Sequence, residues 1–133
     1  MANTFRFRLL TPERIILDEE VEKVFTVSDD GEVEFLANHA PSIISTKICE
    51  TSYFDTSGNK AVIFTNDGVI NFRNNQLVFC CDSAEFEEEI DEARAVASKE
   101  RAEKRLKDTE KNDAIRAKAA LNRAVERLRI LKK

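Results

Sequence analysis

The placement of glycine and proline most constrains what this chain can fold into. The chain has 133 residues with only three glycines and two prolines, and all five lie at or before Gly68. Residues 85–133 contain neither type and are rich in Ala, Glu, Lys, Arg and Leu, which favour helices. A chain of this length fits one small domain with an appendage. We therefore expect two domains, a β-rich segment at residues 1–84 and a helical segment at residues 85–133.

Alternating apolar and polar residues predict short strands in the first segment. Phe5–Leu9 and Val69–Arg73 have the two-residue period that is typical of half-buried strands. Turn residues that tolerate the positive φ of tight hairpins separate such runs, at 55–59, 66–68 and 74–75. Eight or nine short antiparallel strands fit into residues 1–84, which indicates a β-sandwich or a small barrel.

The second segment is predicted to form two antiparallel helices. Asp82 and Glu85 have the spacing of a capping box, so the first helix is expected to run from here to about Leu106. Its apolar face is expected at Phe86, Ile90, Ala93 and Ala97, after which the apolar character shifts to Ala102 and Leu106. After a polar turn at residues 108–113, the second helix has an apolar seam at Ala114, Ala117, Leu121, Ala124, Leu128 and Leu131. Alanine buries little area, so this hairpin should be marginally stable.

Charge divides at the same place as composition. Residues 1–84 carry 7 Lys and Arg against 13 Asp and Glu, whereas residues 85–133 carry 14 against 12. Residues 114–133 hold seven basic residues against one acidic residue, so the second helix is strongly cationic. No nucleic-acid partner is expected, because the whole chain has a net charge of −4 and its basic helix has no aromatic residue for stacking.

The sequence argues against several classes of function. No window approaches the roughly 18 apolar residues of a membrane span, and the N-terminus lacks the apolar run of a signal peptide, so we expect a cytosolic protein. The separated glycines cannot form a P-loop or a dinucleotide-binding fingerprint. His39 has no serine or cysteine at a nucleophile spacing, so we expect a structural loop histidine and no catalytic site.

The three cysteines do not indicate a metal site or a disulfide framework. Cys49, Cys80 and Cys81 are odd in number and lack C-x-x-C spacing. Strand alternation would send the side chains of Cys80 and Cys81 to opposite faces of a sheet. We expect reduced thiols with no metal bound.

Arginines follow the apolar seams of both predicted helices. Arg94 and Arg101 are seven residues apart on the first helix, and Arg116, Arg123 and Arg127 form a stripe on the second. Folding of the hairpin would gather these guanidinium groups around one cleft, which suits the oxygens of a phosphate. The alternative is a solvated helix face with i,i+4 ion pairs, and spacing alone favours this alternative.

The chain resembles the epsilon subunit of the rotary F-type ATP synthase along nearly its whole length. The stretches that carry the resemblance are Leu9–Pro12, Gly31–Pro41, Cys80–Glu85, Ile90–Ala95, Lys99–Leu106 and Arg116–Ala124. The resemblance implies a ten-stranded antiparallel β-sandwich followed by a mobile two-helix hairpin. It also implies a non-catalytic subunit of a complex that synthesises ATP by moving ions, either protons or sodium.

Partners and location follow from the resemblance as expectations. The sandwich would dock on the gamma subunit and the c-subunit ring, with Asp30, Gly31 and Glu32 facing the ring and His39 near gamma. The basic second helix would meet an acidic stretch of a β subunit in the alpha/beta catalytic head, where the extended hairpin inhibits ATP hydrolysis. The protein would lie at the cytoplasmic face of the cell membrane, held there only through the complex.

The resemblance further implies ATP as a regulatory ligand, with no cofactor required. Some family members bind ATP on the folded hairpin through an Ile/Leu-Asp-x-x-Arg-Ala motif and arginines of the second helix. The matching residues here are Glu85, Ile90, Asp91, Arg94, Ala95, Arg101, Arg123 and Arg127. This match favours nucleotide binding over the solvated face, and bound ATP would stabilise the folded, non-inhibiting hairpin. The alternative function is a free-standing nucleotide-sensing module.

The sequence departs from the family pattern in three loops of the sandwich. Ala37 and Asn38 replace the usual Pro-Gly before the histidine, and Glu34 stands where glycine is usual. Residues 66–68 replace a more glycine-rich turn. These departures bear on the geometry of the interfaces with gamma and the c ring, and the expected fold is unaffected.

Overall fold

The computed structural model describes residues 3–107 and 111–132, and only the backbone of residues 111–113. The chain divides into two compact units between Phe86 and Glu87. The boundary expected from composition lay two residues earlier, between residues 84 and 85.

The first unit is a β-sandwich, for which nine strands are described. They are β1 (Phe5–Leu10), β2 (Ile15–Ser28), β3 (Gly31–Leu36), β4 (Ser42–Thr46), β5 (Cys49–Asp55), β6 (Lys60–Thr65), β7 (Gly68–Arg73), β8 (Gln76–Cys81) and β9 (Ala84–Phe86). Hydrogen bonding follows the order β1-β8-β7-β4-β2-β5-β6-β9, with β3 paired to β2 and a further pairing between β1 and β2. Neighbouring strands run antiparallel except β1 and β8, which run parallel.

The described strands number one fewer than the ten implied by the family resemblance. The long strand β2 has 14 residues and pairs with β1, β3, β4 and β5, a role that two shorter strands could share. The sandwich architecture predicted for this segment is confirmed.

Aromatic and aliphatic side chains on the inward faces of the strands form the core. In β1, the burial alternates as predicted, since Phe5, Phe7 and Leu9 are fully buried and the residues between them are half-exposed. Phe35 of β3 stacks on Phe72 of β7 with ring centroids 5.7 Å apart, and Phe5 lies 5.4 Å from the same ring. These contacts join strands that are distant in sequence, so the whole sandwich shares one core.

A chain of buried hydroxyl groups crosses the sandwich beside this core. The Oγ1 atoms of Thr26 and Thr51 lie 2.9 Å apart, and those of Thr51 and Thr65 lie 2.7 Å apart. The thiol of Cys49 lies 3.4 Å from Thr26. Because each hydroxyl has a partner, burial leaves none of these three oxygens unsatisfied.

Two asparagines form the turn between β7 and β8. Asn74 and Asn75 have φ values of 52° and 59°, as predicted for residues that tolerate a positive φ. Arg73 pairs with Gln76 across them, so the turn is a two-residue hairpin of the type I′ kind.

The other two predicted turns differ from each other. At residues 55–59, Asp55 Oδ1 accepts 2.9 Å hydrogen bonds from the backbone N–H groups of residues 57 and 59, and the turn closes the β5–β6 hairpin. The prediction of a hairpin at residues 66–68 is wrong, because the two strands that flank this turn do not pair with each other. Strand β6 pairs with β5 and β9, whereas β7 pairs with β4 and β8. Gly68 is needed there for space, since a Cβ atom would overlap the backbone oxygen of Cys80.

The second unit contains a short 3-10 turn (Glu87–Glu89) and two packed helices, α1 (Glu92–Lys107) and α2 (Lys111–Leu131). The expected capping box is wrong, because Glu85 belongs to β9, which pairs with β6, and the helix begins only at Glu92. Of the expected polar turn, residues 108–110 lie outside the described residues, and residues 111–113 belong to α2.

The buried seam of the hairpin consists mainly of alanines. Ala95 and Ala102 of α1 and Ala117 and Ala124 of α2 are each at most 4% exposed. The seam predicted for α2 is therefore confirmed at Ala117 and Ala124. The other predicted members are half-buried, and Ile130, which was not predicted, is buried; the half-buried ones are Ala114, Leu121, Leu128 and Leu131. The apolar face predicted for α1 is confirmed at Ala102 and wrong elsewhere along the helix, because Ala93 and Leu106 are exposed and Ala97 is only half-buried. Phe86 and Ile90 precede the first residue of α1, Glu92, so they are not part of the apolar face of the helix.

In the described part of the chain, no helix has the length and apolar character needed to span a membrane.

Candidate functional site

The acidic turn between β2 and β3 is exposed, and the hydroxyl group of Ser28 hydrogen-bonds its backbone. Asp30, Gly31 and Glu32 are all exposed, and Gly31 has a φ of 129°. Ser28 Oγ donates a hydrogen bond to the backbone oxygen of Gly31 at 2.9 Å and accepts one from the backbone N–H of Asp30 at 3.2 Å. The carboxylates of Asp30 and Glu32 are thus presented to solvent on a shaped turn.

His39 lies on the core instead of projecting from its loop. Its ring centroid is 4.8 Å from that of Phe35 and 5.3 Å from that of Phe72. Its Nδ1 atom lies 2.8 Å from the backbone oxygen of Ala40. The loop reaches this position because Asn38 adopts a φ of 63°, a conformation that the usual glycine would also supply. The sequence prediction of a structural loop histidine agrees with these contacts.

The outer face of the sheet formed by β4, β7, β8 and β1 carries an apolar stripe. Ile43 is 73% exposed and Val69 is 47% exposed. Strand pairing places Val69 opposite Cys80 and Cys80 opposite Leu10, all on the outward face. We call Leu10, Ile43, Val69 and Cys80 the apolar stripe. The sequence prediction missed the apolar stripe. Doublets of apolar residues such as Ile43-Ile44 and Val69-Ile70 do indicate it, because side chains alternate along a strand and one residue of each doublet must face outward.

A charged pair lies on the same outward face. Arg6 Nε donates a 2.6 Å hydrogen bond to Asp18 Oδ1, and Arg8 Nε lies 3.7 Å from the second carboxylate oxygen. The hydrogen bond from Arg6, followed by its positive charge, lowers the pKa of Asp18. The carboxylate therefore stays ionised beside the apolar stripe.

The three thiols occupy different environments. Cys80 is exposed in the apolar stripe, and Cys81 is buried on the opposite face, as alternation predicted. Burial, followed by the nearby charge of Asp82, raises the pKa of the Cys81 thiol to about 12, so this thiol stays protonated near neutral pH. Within the described residues, no cluster of three or more His, Cys, Asp or Glu side chains suits a metal ion.

In the second unit, Asp91 caps helix α1. Its Oδ1 atom accepts a 3.1 Å hydrogen bond from the backbone N–H of Arg94, three residues along the chain. This bond satisfies one of the N–H groups that the first turn of a helix leaves unpaired. Asp91 thereby fixes the point at which the helix begins.

The arginines of the two helices lie along one side of the hairpin. Arg94 and Arg101 each precede a buried alanine of α1, and Arg116 and Arg123 each precede a buried alanine of α2. In a right-handed helix the preceding residue lies about 100° round the axis. Because the helices are joined by only three residues and pack together, they run antiparallel, which brings these positions to the same side of the seam. Arg127, three residues after Ala124, lies on that side too.

We call Arg94, Arg101, Arg123 and Arg127 the arginine row. Arg94 and Arg101 are exposed, and Arg123 and Arg127 are half-buried. Arg101 Nη2 donates a 3.1 Å hydrogen bond to Ser98 Oγ on the same side of α1. A row of guanidinium groups of this kind is suited to a polyanionic ligand.

The residues predicted to bind ATP are divided between the two units of the chain. Glu85 lies in β9 of the first unit, whereas the arginine row lies in the second. Ile90 is 8% exposed and Ala95 is 4% exposed, so both side chains are buried. A shallow hollow along α1 includes Asp91, Val96 and Glu100 in its lining and contains no member of the arginine row.

Two family models match consecutive parts of the chain. One, described as the beta-sandwich domain of the ATP synthase delta/epsilon chain, matches residues 4–87. The other, described as the long alpha-helix domain of the same chain, matches residues 88–132.

Curated relatives match over nearly the full length. The ATP synthase epsilon chain of Clostridium botulinum is 37% identical over 132 residues, covering 99% of this chain and 98% of the relative. The ATP synthase epsilon chain of Clostridium kluyveri is 39% identical over 132 residues, covering 99% of this chain and 100% of the relative.

Solved structures share the fold at low sequence identity. A chain of the Euglena gracilis mitochondrial ATP synthase, in a structure of OSCP, F1 and c-ring, has a TM-score of 0.87 at 18% identity. The match covers 97% of this chain and 82% of that chain. A chain of the Tetrahymena thermophila mitochondrial ATP synthase, in a structure of the central stalk and c-ring, has a TM-score of 0.61 at 11% identity and 95% coverage of both chains.

Replacing the cap of α1 should loosen the hairpin. Asp91→Ala removes the acceptor for the Arg94 N–H group and should cost about 0.5–2 kcal/mol of stability, whereas Asp91→Asn keeps an oxygen there and should cost less. The measurement is thermal unfolding followed by far-UV circular dichroism, in which the helical signal reports on the second unit. Asp82→Ala is the matched control, because Asp82 is exposed and lies outside the helix. Equal losses in Asp91→Ala and Asp82→Ala would contradict the capping role.

Proposed function

Because this chain belongs to the ATP synthase delta/epsilon family, as a non-catalytic F-type epsilon subunit, we propose that it couples the gamma subunit to the c-subunit ring and regulates ATP hydrolysis. The sandwich acts as the rotor-docking part, and the hairpin acts as the regulatory part. In this role the protein lies at the cytoplasmic face of the cell membrane as a peripheral subunit, and only its association with the complex keeps it there. The single observation that carries the docking proposal is the apolar stripe on the sandwich.

The apolar stripe supports docking of the gamma subunit. Ile43 is 73% and Val69 is 47% exposed, Cys80 is exposed, and Leu10 is half-buried. Removing such side chains from water contributes about 25 cal/mol for each Å² of apolar surface. The ion pair of Arg6 and Asp18 supplies a polar margin, which orients a partner more than it strengthens binding.

The acidic turn supports docking on the c ring. Asp29, Asp30 and Glu32 are exposed, and the hydrogen bonds of Ser28 hold the turn in shape. A surface of this charge fits a basic partner surface, and the attraction should weaken as salt rises. A free-standing nucleotide sensor would have no need for such a turn.

Placing a charge in the apolar stripe should disrupt assembly with gamma. Ile43→Asp loses the burial of one aliphatic side chain, about 1.5–3 kcal/mol, and forces a carboxylate into the interface, so affinity should fall at least about tenfold. The measurement is co-purification with co-expressed gamma subunit, followed by titration. Ile115→Asp is the matched control, because Ile115 is 66% exposed on α2 and lies outside the stripe. Unchanged affinity for gamma in Ile43→Asp would refute docking through the stripe.

The arginine row supports binding of ATP to the folded hairpin. Four guanidinium groups on one side of two antiparallel helices offer charge-assisted hydrogen bonds to phosphate oxygens. The seam between the helices is mostly alanine, so the folded hairpin gains little from burial alone. A ligand that bridges both helices would therefore shift the hairpin toward the folded, non-inhibiting state.

Removing one arginine should weaken this nucleotide site. Arg94→Ala should cost about 1–3 kcal/mol of ATP binding, which is about 5- to 150-fold in affinity. The measurement is a calorimetric titration of the purified chain with ATP. Arg129→Ala is the matched control, because Arg129 pairs with Glu126 at 2.7 Å and lies outside the row. Absence of heat at millimolar ATP would leave the arginine row as a solvated face.

Removing the basic helix should release inhibition. Deletion of residues 114–133 removes most of α2, while the sandwich keeps its own core. The measurement compares ATP hydrolysis by the complex assembled with the full or the shortened chain, and the shortened chain should inhibit far less. Equal inhibition by both would place the regulatory contact elsewhere. A chain that binds ATP but never gamma would favour the free-standing nucleotide-sensing module.

A further inference from the structure

Asn75 joins three segments at one end of the sandwich. Its Oδ1 atom accepts a 2.7 Å hydrogen bond from the backbone N–H of Asn38, and its Nδ2 group donates a 2.9 Å hydrogen bond to the backbone oxygen of Thr4. Its backbone oxygen accepts a 3.2 Å hydrogen bond from the N–H of Arg6. One residue of the β7–β8 turn therefore holds both the start of β1 and the loop between β3 and β4.

The turn between β7 and β8 does not by itself require an asparagine at position 75. In a two-residue hairpin of this type both central residues have a positive φ, and glycine is the favoured second residue. Glycine would supply the φ of 59° seen at this position without any side chain. The amide of Asn75 instead makes two hydrogen bonds to other segments, which indicates a role beyond closing the turn.

The loop that Asn75 holds is the one that carries His39. Residues 37–41 connect β3 to β4, and the backbone N–H of His39 donates a 3.2 Å hydrogen bond to the oxygen of Leu36. The ring of His39 lies on Phe72 of β7, so the loop is tied to the β7–β8 hairpin by one ring contact and one hydrogen bond. The loop is thus fixed before any partner arrives.

The same loop leads directly into the apolar stripe. Ala40 and Pro41 are exposed within the loop, and Pro41 lies two residues before Ile43, so alternation places both on the outward face. A flexible loop at this place would lose conformational entropy on binding, whereas a fixed loop has already lost it on folding.

We propose that Asn75 is a positioning residue that pre-forms the loop of residues 37–41, so that the loop and the apolar stripe bind the gamma subunit as one surface. This inference rests on the docking proposed above. Asn75 does not touch the partner in this arrangement. It acts through the Asn38 backbone, and its effect on affinity comes from the order it imposes on the loop.

Two substitutions of Asn75 separate loop positioning from overall stability. Asn75→Gly keeps the turn conformation and removes both side-chain hydrogen bonds. Asn75→Asp keeps an oxygen acceptor for the Asn38 N–H group and replaces the donor to Thr4 with a second acceptor, so that only the contact with Thr4 becomes repulsive. Asn74→Gly is the matched control, because Asn74 has the same left-handed conformation in the same turn. All three variants are expected to fold, because each residue tolerates a positive φ.

The first readout is amide hydrogen exchange of Asn38 in the isolated full chain. Asn75→Gly should raise this exchange rate about tenfold or more, whereas Asn75→Asp and Asn74→Gly should stay within about threefold of the unaltered chain. Unchanged exchange in Asn75→Gly would overturn the inference at its first step, whatever gamma does.

The second readout is affinity for purified gamma, with the unfolding midpoint in urea measured for each variant. Asn75→Gly should bind about three- to tenfold more weakly, and Asn75→Asp should bind like the unaltered chain even where its midpoint falls, because it keeps the acceptor for Asn38. Equal losses of affinity in both variants, or losses that simply follow the midpoint, would overturn the positioning role. Failure of the unaltered chain to bind gamma would instead refute the docking proposal, and normal binding by Asn75→Gly would refute this inference alone.

Discussion

The 14 residues of β2 pair with β1, β3, β4 and β5, and the rest of the sandwich depends on this ladder of backbone hydrogen bonds. Because one strand takes part on both sides of the core, the sheets close around the inward side chains, among them Phe7 and Phe35. The closed arrangement also defines an outward face, on which Ile43 and Val69 are exposed. The apolar stripe is therefore a consequence of the same strand pairing that builds the core.

The two units differ in the side chains that form their buried cores, and this difference bears on the proposed function. The sandwich buries large side chains such as Phe5 and Phe79, each fully removed from water. The seam between the helices is built largely from alanines, each of which contributes far less than a phenylalanine. A rigid sandwich suits a coupling part that must transmit force, whereas a weakly held hairpin suits a switch whose state a ligand or partner can change by a few kcal/mol.

Much of the fold could be predicted from the chain alone, whereas the sites were less predictable. Alternation in β1 and the asparagine turn at Asn74 depend only on neighbouring residues, so local pattern was enough. The start of α1 was mispredicted because Glu85 pairs with Phe64 of β6, a contact with a residue 21 positions away. The same long-range pairing leaves Asp91 to cap the helix, although Asp82 has the better local signature.

Composition and periodicity by themselves determined that this chain has a β-rich part and a helical part, and that its last helix is basic, because these properties require no knowledge of which residues meet. Only the tertiary structure decided which apolar residues face outward, since the choice between Val69 and Ile70 depends on which neighbours cover each face. It also decided the role of Asn75, whose two side-chain partners lie 37 and 71 residues away along the chain. A hydrogen bond across such a separation exists only after the strands between have paired.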